Sequence, residues 1–122
     1  MKTLLEGITS ACMNAAICTS VDDHDRPLDM LGADLALSVR SKFMEGAASF
    51  YNENRADCNA FIRDYGTEQL GHDLFLTAQG HGSGFWDRGA GDLGERLTAA
   101  SKRSMFTHMA LYIDDEHKIQ CD

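Results

Sequence analysis

Gly71-His72-Asp73-Leu74-Phe75-Leu76-Thr77-Ala78-Gln79-Gly80-His81-Gly82-Ser83-Gly84-Phe85-Trp86-Asp87-Arg88-Gly89 is the stretch on which the fold class turns. Its first part, residues 72–78, is short, apolar at its centre and bounded by glycines, which predicts a strand. Gln79 to Gly84 reads as a turn whose three glycines are free to take positive φ. Phe85-Trp86-Asp87 then reads as a short partner strand. A hairpin here places strands in the middle of an otherwise helical chain and makes the class α+β.

Upstream, Leu5, Ile8, Cys12, Ala15 and Ala16 recur at three- and four-residue steps, predicting a helix over 3–19. An acidic loop follows to Leu28, with Pro27 biasing Arg26 away from helix. Leu35, Val39, Phe43, Ala47 and Phe50 share one stripe of a second helix over 33–52. Asn54 reads as the N-cap of a third helix over 55–65, with Cys58, Phe61 and Ile62 on its apolar face and Gly66 just past its end. Whether the second and third helices are separate or one kinked helix stays open at this level. Thr67-Glu68-Gln69-Leu70 reads as at most one more turn before Gly71. Downstream, Asp92 and Glu95 are placed as a capping box for a fourth helix over 92–103. A strand over 109–113, a turn at Asp114-Asp115-Glu116-His117 and a strand over 118–121 close the chain. The expected order is α-α-α-β-β-α-β-β: three to four helices packed on a small antiparallel sheet, as one compact domain over 1–122.

Composition narrows the function classes. Of 122 residues, 43% are apolar, 25% are charged and 1 is proline, which excludes low-complexity and collagen-like chains. No run of about 18 apolar residues exists to cross a membrane as a helix. Glu6 interrupts the apolar start, so Met1 to Glu6 is not expected to act as a secretory signal. With 19 acidic and 11 basic residues the formal net charge is −8. Such a chain is not expected to hold nucleic acid directly, because the phosphate backbone demands a positive surface. It suits a basic protein surface, or the charge serves solubility alone. Asp22, Asp23, Asp25 and Asp29 imitate a calcium loop but lack its turn glycine and its twelfth-position glutamate, and Pro27 interrupts the run. The 4 cysteines form no C-x-x-C pair; they are expected as reduced thiols, Cys12 and Cys58 buried and Cys121 the most accessible.

The segment from Gly71 to Leu97 resembles a motif of small proteins from bacteriophages and related mobile elements. Their pattern is G-H-D-F-W-L-T-x-N-G-H-G-x-G-F-W-D-R-G, followed by an acidic-capped helix and a terminal hairpin. This chain carries Gly71, His72, Asp73, Leu76, Thr77, Gly80, His81, Gly82, Gly84, Phe85, Trp86, Asp87, Arg88 and Gly89 in matching order. It departs at Leu74 and Phe75, where the pattern has Phe then Trp, and at Gln79, which replaces the turn asparagine. Arg26-Pro27-Leu28-Asp29 is similar to the acidic loop of the same proteins. The resemblance implies a phage or mobile-element origin and no particular mechanism.

Four chemical readings compete in this segment. Gly89-Ala90-Gly91-Asp92-Leu93-Gly94 matches G-x-G-x-x-G, but no βαβ unit surrounds it and Asp92 occupies the pyrophosphate position, so cap and turn glycines explain it better. Ser83 lacks the glycine two residues before it that a nucleophile elbow needs. His72, His81 and Asp87 offer metal or acid–base chemistry, yet a hairpin would separate the two imidazoles by roughly 20 Å. Phe85, Trp86 and Arg88 are residue types enriched at binding hot spots. The expectation is therefore a small acidic phage-encoded protein, more a binder than an enzyme, with no catalytic residue, metal or cofactor assigned. It would bind and inhibit a host protein or ribonucleoprotein complex with a basic surface, of the anti-CRISPR or anti-restriction type, in the bacterial cytoplasm. The expected binding residues are His72, His81, Ser83, Phe85, Trp86, Asp87 and Arg88, with Asp22, Asp23 and Asp25. The alternatives are a small-ligand or nucleotide binder, or enzyme, using the turn 80–89, and a structural accessory of the phage particle. The first helix leaves a homodimer open.

Overall fold

The computed structural model describes residues 3–21, 24–28, 33–81, 84–85 and 89–121. Its elements are α1 (Leu4–Thr19), β1 (Asp34–Leu35), α2 (Leu37–Glu53), α3 (Arg55–Tyr65), α4 (Thr67–Ala78), α5 (Asp92–Lys102), a 3₁₀ turn (Met105–His108), β2 (Leu111–Ile113) and β3 (Lys118–Cys121). The class is α+β, as the alternation of apolar stripes and short extended runs predicts.

The main departure from the expected order lies within residues 71–89. Residues 72–78 are not a strand but the larger part of α4, which starts at Thr67 and runs through Gly71. Leu70, Gly71, Asp73, Leu74, Phe75, Thr77 and Ala78 are all buried, so α4 is enclosed over most of its circumference. Within 71–78 the apolar run is short, and a short apolar run cannot be told from a buried strand by period alone. Gly71 is not a boundary. It is where α4 crosses α1: a Cβ there would lie 2.6 Å from the Ile8 carbonyl oxygen and 3.2 Å from the Cys12 amide nitrogen. Across the same contact the Cys12 thiol donates to the Gly71 carbonyl at 3.3 Å.

The helix ends explain the other boundaries. Thr3 caps α1, its Oγ1 accepting from the Glu6 amide at 3.1 Å. α2 and α3 are separate helices joined at Asn54, whose backbone at φ −131° and ψ 36° is non-helical. Asn54 does not cap α3 with its side chain as expected. Its Nδ2 donates backward to the Phe50 carbonyl at 2.9 Å, closing α2 instead. Gly66, at φ +95°, ends α3 as predicted. The capping box at Asp92 and Glu95 is not formed: the N-cap of α5 is Gly91 at φ +62°, with no side-chain cap.

The sheet is mixed rather than antiparallel, in the order β1-β3-β2. β2 and β3 form the expected antiparallel hairpin, Leu111 opposite Cys121 and Ile113 opposite Ile119. β1 adds in parallel to β3, Asp34 opposite Lys118. Residues 34 and 35, expected inside the second helix, are therefore strand, and the Ala36 amide continues the ladder by donating to the Ile119 carbonyl at 3.0 Å.

All 6 phenylalanines lie in the core. Phe43, Phe75 and Phe106 form one group with ring centroids 5.5 to 6.1 Å apart. Phe85 sits between Phe50 and Phe61, at 6.4 and 5.0 Å. These spacings suit stacked and edge-to-face ring pairs. Among the described residues, no helix is long and apolar enough to cross a membrane.

Candidate functional site

The glycine-rich segment is built around the C-terminus of α4. Gly80 takes φ +80°, its amide donates to the Thr77 carbonyl, and the His81 amide donates to the Leu76 carbonyl at 2.9 Å. This pair of bonds is a Schellman ending, so the glycine that was read as a hairpin turn is a helix stop. His81 is held there by its backbone and its side chain is exposed.

The chain then returns to α4. Gly84 is buried against Thr77, where a Cβ would overlap the Thr77 hydroxyl oxygen. That hydroxyl accepts from the Phe85 amide at 3.2 Å. On the other side, the Phe85 carbonyl oxygen lies 3.1 Å from where a Cβ on Gly94 would stand. Gly84 and Phe85 are thus clamped between α4 and α5, with the Phe85 ring fully buried. Phe85 was expected at a binding surface. It is a core anchor instead, and its ring does not reach a partner.

His72 lies on α4, half-buried between Gly71 and Asp73. Seven residues of helix at about 1.5 Å each put roughly 10 Å of axis between His72 and the end of α4. Helix thus brings the two imidazoles closer than a hairpin would, yet no cluster gathers around them. Among the described residues, no group of three or more His, Cys, Asp or Glu is placed to hold a metal ion. Asp25 is exposed, at φ +60°. Ser83, Trp86, Asp87, Arg88, Asp22 and Asp23 lie outside the described residues.

Asp73 is a polar feature that sequence reasoning placed in the motif but assigned no role. Its carboxylate is fully buried on α4 and accepts from Gln69 Nε2 at 2.8 Å. The signal was present as a Gln–Asp pair at i,i+4, but a strand reading hides that spacing.

Two surface pairs fix the frame. Arg96 of α5 grips Asp57 of α3 with two bonds of 3.0 Å, and the hydrogen bond to Asp57 raises the guanidinium pKa further above its usual value. In the β2–β3 turn, Asp114 accepts from Gln120 Nε2 and from the Lys118 and Glu116 amides, each at 2.9 Å. The Gln120 bond first, then the backbone donors, hold the Asp114 carboxyl below its usual range. His117 closes this turn at φ +62°.

All four cysteines are free. Burial raises the Cys12 thiol strongly and pushes Cys58 up to about 12, with the neighbouring Asp57 charge adding to the second shift. Cys121 was expected to be the accessible thiol; it is buried on β3, and Cys18 of α1 is exposed instead.

Two clefts lined by described residues are small. One of about 260 Å³ lies between α1 and α4 beside Ser10, Asn14 and Thr67. Another, of about 240 Å³, lies between α2 and the 3₁₀ turn. Both fall short of the several hundred cubic ångströms typical of sites for drug-sized ligands. Exposed carboxylates include Glu45 and Glu53 on α2, Glu68 on α4, Asp92 and Glu95 on α5, and Asp115 and Glu116 in the hairpin turn; exposed Arg40, Lys42, Arg96, Lys102 and Lys118 lie among them. No family model, curated protein or solved structure matches the chain.

Proposed function

We propose that this chain is an acidic binding protein that docks on the basic surface of a host protein or ribonucleoprotein complex and inhibits it. The setting proposed is the bacterial cytoplasm, and the role is anti-defence, of the anti-CRISPR or anti-restriction kind. One observation carries the reading. The formal net charge is −8, and exposed carboxylates stand on α4 (Glu68), in the hairpin turn (Asp115, Glu116) and on α2 and α5, where exposed Arg40, Lys42, Arg96 and Lys102 are interspersed with them. Such a surface can occupy a groove built for phosphates and steer its own association with it. The resemblance of residues 71–97 to phage and mobile-element proteins supports the setting. The core position of Phe85 weighs against the rival ligand site in the turn 80–89.

The test is an affinity pull-down of the tagged chain from nuclease-treated bacterial lysate, with salt elution and mass spectrometry. The expected result is one nucleic-acid-handling complex, released as salt rises and blocked in a direct activity assay. Enrichment of no such complex at physiological salt refutes the proposal. If His81→Ala then abolishes a measured ligand effect without unfolding the chain, the turn becomes the site.

A further inference from the structure

We propose that the cleft between α2 and the 3₁₀ turn binds a soft monovalent cation, Cu(I), through the thioethers of Met105 and Met109 and the imidazole of His108. The cleft, of about 240 Å³, is lined by Lys42, Glu45, Met105, His108 and Met109. Three of those five residues carry uncharged soft or borderline donors, two thioether sulfurs and one imidazole nitrogen. Thioethers favour Cu(I), imidazole accepts it, and Ca²⁺ or Mg²⁺ would demand oxygen ligands instead.

The local structure brings the three together. Met105 and His108 are the first and last residues of the 3₁₀ turn, and side chains at i and i+3 of a 3₁₀ helix eclipse one another. Met109 follows directly, in extended backbone. The Met105 sulfur is set against α2, with its Sδ and Cγ each 3.0 Å from where a Cβ on Gly46 would stand. Met105 as a residue remains 43% exposed and His108 is exposed, whereas Met109 is buried in the core, so the cleft opens to solvent on the Met105 and His108 side.

The backbone bearing these donors is held in advance. Gln79 Nε2 donates to the Phe106 carbonyl and, at 2.8 Å, to the Met109 carbonyl. Ser104 Oγ donates to the Ser101 carbonyl at 2.7 Å, and Thr107 Oγ1 to the Lys102 carbonyl at 3.1 Å. A preorganised frame of this kind is what keeps a ligand set in register. Neutral donors leave the bound ion with its full positive charge. Glu45 at the rim offsets that charge, whereas Lys42 opposes it.

The test uses the full chain with Cys18→Ser, which removes the exposed thiol that would otherwise take the metal. Ag(I) serves as the redox-inert probe, followed through the methionine methyl signals by NMR. The Met105 and Met109 methyls should move at one equivalent, and the exposed Met44 methyl should not. Met105→Leu and His108→Ala should each weaken Ag(I) binding about tenfold or more. Lys42→Ala should tighten it, which a packing role for the cleft does not predict. Cu(I) affinity, measured against a chromophoric chelator, should follow the same order across the variants. Unmoved Met105 and Met109 methyls, equal affinity in Met105→Leu, or Ag(I) binding without Cu(I) binding would each overturn the proposal. Met105→Leu is a surface change, and a thermal melt confirms that it folds.

Discussion

Gly71 of α4 rests directly on Ala11 of α1, so closely that a Cβ on Gly71 would come within 2.5 Å of the Ala11 Cβ. The Ile8 carbonyl oxygen is almost as near. The atoms in the way include α1 backbone, which cannot rotate aside. Gly71→Ala should therefore destabilise the protein by about 1–3 kcal/mol through overpacking, although alanine favours helix by about 1 kcal/mol. Urea unfolding gives the check: the midpoint should fall with the slope unchanged. A rise in the midpoint would mean that the two helices do not meet here.

Phe85 gives a second prediction, because surface and core readings part there. Enclosed by Phe50, Phe61, Thr77 and Gly94, it should behave as a core residue. Phe85→Ala should cost about 3–5 kcal/mol and Phe85→Leu much less. Calorimetric melts of both variants separate this from an interface role, in which stability would hold and binding alone would suffer.

The contrast between Phe85 and the helices shows what was legible in the sequence. α1 and α3 were readable nearly to the residue, because their apolar positions recur with the helical period and Gly66 marks the end of α3. The β2–β3 hairpin was readable from local alternation and its Asp114 turn. α4 was not, since Leu74-Phe75-Leu76 is a short apolar run that fits a strand equally well, and Gly71 imitates a boundary. β1 was not either: two residues pair with a distant strand, and no local pattern encodes that partner. The candidate site was less legible than the fold. His81 is exposed and Phe85 is internal, and the Met105-x-x-His108-Met109 spacing reads as nothing until a 3₁₀ turn and a cleft surround it.

The thiols should react in a fixed order. Cys18 is exposed, and Cys12, Cys58 and Cys121 are buried. With Cys58 pushed up to about 12, roughly one molecule in ten thousand carries that thiolate at pH 8. A chromogenic disulfide reagent should label one thiol rapidly in the native protein and the remainder only on unfolding. Cys18→Ser should abolish the fast phase; a surviving fast phase would place a second thiol at the surface.

Asp114 sets an acid limit on the hairpin turn. Its folded pKa is depressed by Gln120 and by the Lys118 and Glu116 amides, so the ionised form is favoured in the folded state. For a depressed carboxylate the stabilisation is fully present above the unfolded pKa of about 3.9, and is lost as pH falls through the lower folded value. The turn should therefore hold at neutral pH and loosen on acidification below about pH 4. Carboxyl carbon NMR should show Asp114 titrating below the ordinary aspartate value of about 3.9. Amide exchange at Glu116 and Lys118 should accelerate over the same interval. In Asp114→Asn the carboxylate is gone, so the acid-dependent step should vanish and those two amides should exchange faster even at neutral pH. An Asp114 that titrates at the ordinary aspartate value would mean that Gln120 and the Lys118 and Glu116 amides do not hold its carboxylate.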